Sequence, residues 1–231
     1  MFKAIFFDID DTLLSFQGYV KESMRTGFPL FGIGNYNEEM FPVFQEVNGE
    51  LWRELERRET TMAALLHKRW NVIFDALGLS GDGVAFEAYF QEALNTSAIL
   101  IPGAKELLSS LHGKYLLCAA SNGPEFQQKN RMRIGGLAPY IDLWFISGEI
   151  GHSKPNKDYF DTCLERLAAH AEEEIPPEEI LMVGDSMTSD MGAAAFGIKT
   201  CLYRPGYQGE ALTPQPDYVV NTLLQIKELL I

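Results

Sequence analysis

Phe6-Phe7-Asp8-Ile9-Asp10-Asp11-Thr12-Leu13-Leu14 places three carboxylates within four residues, directly after one apolar run and directly before another. Like charges packed so closely repel, so the stretch calls for a cation or a basic partner among them. The preceding Ala4-Ile5-Phe6-Phe7 is short, uninterrupted and apolar, the pattern of a strand buried on both faces of a parallel sheet. Asp8 then falls at the carboxyl end of a strand, where open parallel sheets bind their ligands.

Further runs of the same kind follow: Tyr115 to Ala120, Leu143 to Ile146, Ile180 to Val183 and Thr200 to Tyr203. Helix-length segments separate them, Ala104 to Leu111, Gln127 to Ile134, Lys157 to Ala171 and Ser189 to Phe196. This alternation predicts an α/β layer fold with a parallel sheet. Residues 16 to 98 break it, offering helical periodicity and no convincing strand. Within them Met62, Leu65, Leu66, Trp70, Ile73, Phe74 and Leu77 mark a packed helix face, with Thr60 or Thr61 as N-cap and Gly78 as the stop. Gly27, Gly32 and Gly34 read as a loop between helices. The expected organisation is an α/β core formed by residues 1–15 and 99–231, interrupted by an all-helical domain over residues 16–98.

Every strand in the expected sheet that bears on the site ends in polar residues. The first runs into Asp8-Ile9-Asp10, the second into Ser121-Asn122-Gly123, and Ile180-Leu181-Met182-Val183 into Gly184-Asp185-Ser186. Oxygens from Asp8, Asp10 and Asp185 converging on one point suit a hard cation such as Mg²⁺, which keeps waters and substrate oxygens in its shell. Lys154, just ahead of the helix Lys157 to Ala171, can bring positive charge to the same mouth, and Asp190 follows five residues after Asp185. Taken singly these residues also have plainer readings: Asp8 and Asp10 as turn residues, Ser121-Asn122-Gly123 as an ordinary turn, Lys154 as a solvated lysine, and Asp190 as a first-turn helix acid. Asp11 reads as structural or solvent-facing, and Thr12 as a stabiliser of the turn.

Together the stretches Asp8-Ile9-Asp10-Asp11-Thr12, Ser121, Lys154 and Gly184 to Asp190 resemble, in order, the four motifs of the haloacid dehalogenase superfamily phosphatases. The resemblance spans essentially the whole chain. It implies a Rossmann-like parallel-sheet core in which the helical insert acts as a cap. It further implies that Asp8 is the nucleophile, forming an aspartyl-phosphate, and that Asp10 is the general acid and base. Mg²⁺ would be held by the Asp8 side chain, the Asp10 main-chain carbonyl and Asp185. Ser121, the Asn122 backbone N–H and Lys154 would hold the phosphoryl oxygens, with Asp190 orienting Lys154 or a metal-bound water.

A narrower resemblance rests on Ser121-Asn122-Gly123 with Gln127 or Gln128 and Arg131, on Phe145 to Gly151, on Lys154-Pro155-Asn156-Lys157, and on Ser189-Asp190-Met191. These are similar to the nucleoside 5′-monophosphatase branch, although branches acting on phosphoglycolate, sugar phosphates or acylneuraminate phosphate share parts of them. A sugar-phosphate mutase would use the same motifs. Dehalogenation is disfavoured by the acid at position 10.

Composition sets the remaining bounds. The 231 residues, 46% of them hydrophobic, can bury a sizeable core. A formal net charge of −13 opposes a nucleic-acid polymer or an anionic membrane as the main partner; the partner that the resemblance implies is a small phosphomonoester. Cys118, Cys163 and Cys201 are odd in number and widely spaced, so they read as buried apolar residues rather than disulfides or zinc ligands. No stretch approaches the ~20 apolar residues of a membrane span, and no secretory signal pattern opens the chain. A monomer or homodimer in the cytoplasm is expected.

Overall fold

A computed structural model describes residues 1–57 and 59–230. Six parallel strands form one sheet in the order β3-β2-β1-β4-β5-β6: β1 Ala4–Phe7, β2 Leu116–Ser121, β3 Leu143–Ile146, β4 Ile180–Gly184, β5 Lys199–Tyr203 and β6 Tyr218–Val220. The chain divides into two compact units, Met1–Phe16 with Ala98–Ile231, and Gln17–Ser97.

In the sheet unit the period-two alternation of β1, β2 and β4 serves two cores. Ile5, Phe7, Leu117, Ala119, Leu181 and Val183 pack on one face, against Ala104, Leu107, Leu108 and Leu111 of α5 (Ala104–Leu111) and Met132 of α6 (Glu125–Ile134). Ala4, Phe6, Cys118, Ala120, Ile180 and Met182 pack on the other, against Tyr159, Phe160, Cys163 and Leu167 of α8 (Lys157–Ala171). A sheet covered on both sides leaves no polar face, which is why its strands read as continuous apolar runs. This unit also contains the short α7 (Ser147–Ile150), α9 (Ile226–Leu229) and several 3₁₀ turns, among them Met191–Phe196.

Register decides what lies at the carboxyl edge. Phe7 stands level with Ala119 of β2 and Val183 of β4, so Asp8, Ala120 and Gly184 form the next row. The Asp8 N–H donates to the Val183 carbonyl (2.9 Å), continuing the pairing one residue past the strand. Beyond it the chain turns sharply: the Leu13 and Leu14 N–H groups both reach the Ile9 carbonyl (2.9 and 2.8 Å), and Asp11 takes a left-handed φ of 57°. The turn is held by main chain. The Thr12 hydroxyl is buried without a hydrogen-bond partner, so it is not the turn's stabiliser.

The helical unit comprises α1 (Phe16–Leu30, whose first residue belongs to the sheet unit), α2 (Met40–Glu56), α3 (Met62–Leu77) and α4 (Gly83–Thr96). Thr61 caps α3 by accepting from the Ala64 N–H (3.2 Å), and Gly78 ends it in a left-handed conformation. The apolar stripe of α3 is buried at Leu65, Trp70, Ile73 and Phe74. Trp70 lies against Phe86 (ring centroids 4.5 Å apart) and Phe90 (5.2 Å) of α4. Gly27 lies inside α1 and not in a loop, because the rings of Phe86 and Tyr89 pack directly over it. Two other differences concern the sheet unit: β6 is too short to show a pattern in sequence, and Ser189–Phe196 forms a 3₁₀ helix only from Met191.

One ion pair is sealed into the helical unit. Arg69 on α3 donates from Nε to Glu87 Oε2 (2.9 Å) and from Nη2 to Oε1 (2.6 Å), with both side chains buried and the guanidinium 4.8 Å from the Phe90 ring centroid. Glu87→Ala strands a buried charge and is expected to lower unfolding stability by about 3–5 kcal/mol in urea titrations followed by tryptophan fluorescence. Replacing both partners by leucine should recover most of that loss.

Candidate active site

The residues described next all belong to the sheet unit. Asp8 shares the even-numbered face of β1 with Ala4 and Phe6, the side covered by α8, and the segment entering α8 brings Lys154 to it. Asn122, just beyond β2, brackets the Lys154 backbone by accepting from its N–H (2.8 Å) and donating Nδ2 to its carbonyl (3.0 Å). The ammonium, 1% exposed, then donates to Asp8 Oδ1 (2.7 Å), Asp190 Oδ1 (2.6 Å) and the Ala120 carbonyl (2.7 Å). An ammonium has three protons, and in this arrangement each has a protein acceptor. Lys154 is thus a buried positive charge whose protons are engaged by the protein.

Asp190 is equally committed. Its Oδ1 accepts from Lys154 and its Oδ2 from the Ser186 N–H (3.0 Å). Gly184 makes room for it, since a Cβ there would stand 2.2 Å from Asp190 Oδ2.

Carboxylate oxygens of Asp8, Asp185 and Asp190 lie within 4.8 Å of one another. Burial, first, and then the Asp190 and Asp10 charges push the Asp8 carboxyl up to about 8 against the pull of Lys154. Desolvation, then Asp190, Asp8 and Asp11, raise Asp185 well above the usual carboxylate range, although its side chain keeps some contact with solvent. Burial works against the Lys154 ammonium, yet Asp190 and Asp8 outweigh it and keep it firmly protonated. One ammonium among three carboxylates leaves a deficit of positive charge. The donor set is all oxygen, without histidine or cysteine, and so fits a hard divalent cation of the Mg²⁺ kind better than zinc.

Asp10 meets the opposite face of the sheet. Two side chains of α6 hold it: Arg131 Nη1 donates to Oδ1 (2.6 Å) and Gln128 Nε2 to Oδ2 (2.5 Å), while about a third of the Asp10 side chain (34%) stays exposed. Gln128 Nε2 also donates to Ser121 Oγ (2.8 Å), at the end of β2. The structure thus gathers Asp8, Lys154, Asp185 and Asp190 into one cluster. Asn122 buttresses that cluster, and Gln128 joins Asp10 to Ser121.

Residues 2–197 match the profile of the haloacid dehalogenase-like hydrolases. The chain belongs to that family. It is 30% identical over 227 residues to the pyrimidine 5′-nucleotidase YjjG of Escherichia coli K12, covering 98% of this chain and 96% of that one. The pyrimidine 5′-nucleotidase PynA of Streptococcus pneumoniae is 29% identical over 234 residues, covering 99% and 95%. Among solved structures, the HAD-hydrolase YfnB of Bacillus subtilis, in an orthorhombic form bound to magnesium, superposes with a TM-score of 0.87 at 29% identity, covering 99% of this chain and 98% of that one.

For a haloacid dehalogenase-like hydrolase, the four motifs account for Asp8, Asp10, Ser121, Lys154, Asp185 and Asp190, but not for what holds Asp10. Gln128 and Arg131 enter the sequence reading only through the narrower resemblance, without a place in the site. The signal for them is the burial of polar residues at i and i+3 on a helix that must also cover a sheet.

The close approach at Gly184 provides a test. Gly184→Ala forces Asp190 off Lys154 and is expected to destabilise the fold by about 1–3 kcal/mol, as overpacking does, with a lowered melting temperature as the readout. An unchanged melt would show that Asp190 is free to step aside.

Proposed function

We propose that this protein is a Mg²⁺-dependent phosphatase of small phosphomonoesters that works through an aspartyl-phosphate, with nucleoside 5′-monophosphates as its substrate class. The observation that carries this reading is the buried Lys154 ammonium clamped between Asp8 and Asp190, at a strand edge where Asp185 adds a third carboxylate.

Lys154 anchors Asp8 through Oδ1, leaving Oδ2 outside that contact for attack on phosphorus. As the bond from Asp8 to phosphorus forms, the bond to the ester oxygen breaks, and Asp10 delivers a proton to that oxygen. In the second half Asp10 takes a proton from water, the water oxygen bonds to phosphorus, and the Asp8–phosphorus bond breaks to release phosphate. The Ser121 hydroxyl and the Asn122 N–H hold phosphoryl oxygens throughout. Asp8, Asp185 and the Asp10 main-chain carbonyl would hold a Mg²⁺, which when bound would supply positive charge to offset that of the carboxylates and the phosphoryl oxygens. The helical unit acts as the cap that confers substrate choice. The two pyrimidine 5′-nucleotidases that match nearly the whole chain support the nucleotide class.

Asp8→Asn keeps the side chain's shape but removes the attacking charge, so phosphate release is expected to fall by orders of magnitude while the fold persists. EDTA should abolish wild-type turnover and Mg²⁺ restore it. Mg²⁺ should also raise the wild-type melting temperature, by the amount expected of a ligand that binds only the folded state, and raise that of Asp185→Asn much less. Full turnover in chelator would remove the metal from this account.

Among substrates, nucleoside 5′-monophosphates, deoxypyrimidine ones included, are expected to show a higher kcat/KM than phosphoglycolate or hexose phosphates in a phosphate-release screen. If phosphoglycolate or a hexose phosphate exceeds every nucleotide, the nucleotide assignment fails and the phosphatase assignment stands.

A further inference from the structure

We propose that Gln128 and Arg131 are positioning residues, which fix through a one-way chain of hydrogen bonds both where Asp10 points and in which direction the Ser121 hydroxyl donates. The inference rests on the phosphatase reading and deepens it.

The direction of the chain follows from donor and acceptor inventory alone. A guanidinium only donates, so Arg131 Nη1, which reaches both Asp10 Oδ1 (2.6 Å) and Gln128 Oε1 (2.8 Å), fixes the oxygen side of the Gln128 amide toward itself. The amide nitrogen then faces the other way, and its two protons go to Asp10 Oδ2 (2.5 Å) and Ser121 Oγ (2.8 Å). Ser121 Oγ also accepts the Gly123 N–H (3.1 Å). With both lone pairs taken, the one proton of that hydroxyl is left to point outward, as a donor to an acceptor-only group such as a phosphoryl oxygen. Asp10, gripped at both oxygens and open along one edge, is held at the angle from which it meets the leaving group.

Two further observations set this apart from ordinary packing. Gln128 is fully buried and Arg131 is 1% exposed, so both give up solvation that an apolar helix face would not have to. Gly123 has no side chain where a Cβ would stand 2.5 Å from Gln128 Nε2, so the turn after β2 leaves room for that amide. A half-satisfied buried network is worse than an apolar one, and here each named donor has its acceptor.

The deciding variant is Gln128→Glu, which keeps the shape and the oxygen facing Arg131 but replaces both N–H donors with an acceptor. Arg131→Met removes the head of the chain, and Arg131→Lys can restore part of it from a single nitrogen. Each is compared with wild type on a nucleoside 5′-monophosphate, whose leaving group needs a proton, and on p-nitrophenyl phosphate, whose leaving group does not. For Gln128→Glu and Arg131→Met the expected result is a loss of about 10²-fold or more in kcat on the nucleotide. On p-nitrophenyl phosphate the first turnover should stay near the wild-type rate and later ones should slow, which shows as a burst of one p-nitrophenol per enzyme. Inorganic phosphate should inhibit Gln128→Glu more weakly, because Ser121 loses its fixed orientation, and Arg131→Lys should recover part of the nucleotide rate.

Wild-type behaviour of both variants on both esters, or an equal loss on both without a burst, overturns the proposal. Circular dichroism and melting curves check each fold. If Arg131→Met does not fold, the nearly isosteric Gln128→Glu decides alone. A wild-type protein that releases no phosphate from any ester in Mg²⁺ refutes the phosphatase reading and this inference together, whereas an active wild type with unaffected variants refutes only the inference.

Discussion

A lysine ammonium with 1% of its surface exposed can stay charged only among acceptors that match it, and around Lys154 those acceptors are Asp8, Asp190 and the Ala120 carbonyl. Each comes from a different part of the chain, and each is fixed by something else. Asp8 is fixed by its pairing with β4, Asp190 by the Ser186 N–H and the space over Gly184, and the lysine backbone by Asn122. Removing the lysine would leave Asp8 and Asp190 buried without their cation, which is far more damaging than the pairs themselves are stabilising. The carboxyl edge of β1 and β4 is therefore built around that contact.

The two faces of the sheet surround the two aspartates differently. From the side of α8 comes Lys154, which holds Asp8 in a buried, crowded setting. From the side of α6 come Gln128 and Arg131, which hold Asp10 in a setting still a third open to solvent. Two aspartates separated by one residue thus live in different surroundings, and carboxylates in different surroundings can take different tasks, one as nucleophile and one in proton transfer. Directly after Asp10 the chain turns sharply, with Asp11 in the left-handed region.

The helical unit follows another logic. Its core is aromatic, with Trp70 packed on Phe86 and Phe90, and it carries a sealed Arg69–Glu87 pair. The interior of this unit is thus taken up by packing. Trp70, part of the helix face expected from the sequence, is core, whereas Lys68 pairs with Glu54 nearer the surface.

What the amino-acid sequence determined by itself was everything local. The apolar runs of β1 to β5, the Thr61 cap and Gly78 stop of α3, and the polar residues waiting at the strand ends are each written in a window of a few residues, where burial and backbone preference act directly. Asp8, Asp10, Ser121, Asn122 and Asp185 stood out as polar residues following buried strands, whereas Lys154 and Asp190 were singled out by their order among the four motifs. Tertiary structure decided how they meet. Lys154 and Asp8 are 146 residues apart and Arg131 and Asp10 are 121 apart, and only sheet order and register bring them within 2.7 Å. The same holds for Gln128 and Arg131, whose direction depends on which face of α6 the sheet covers. It holds too for Gly123 and Gly184, which owe their lack of a side chain to atoms five and six residues onward, folded back across a turn.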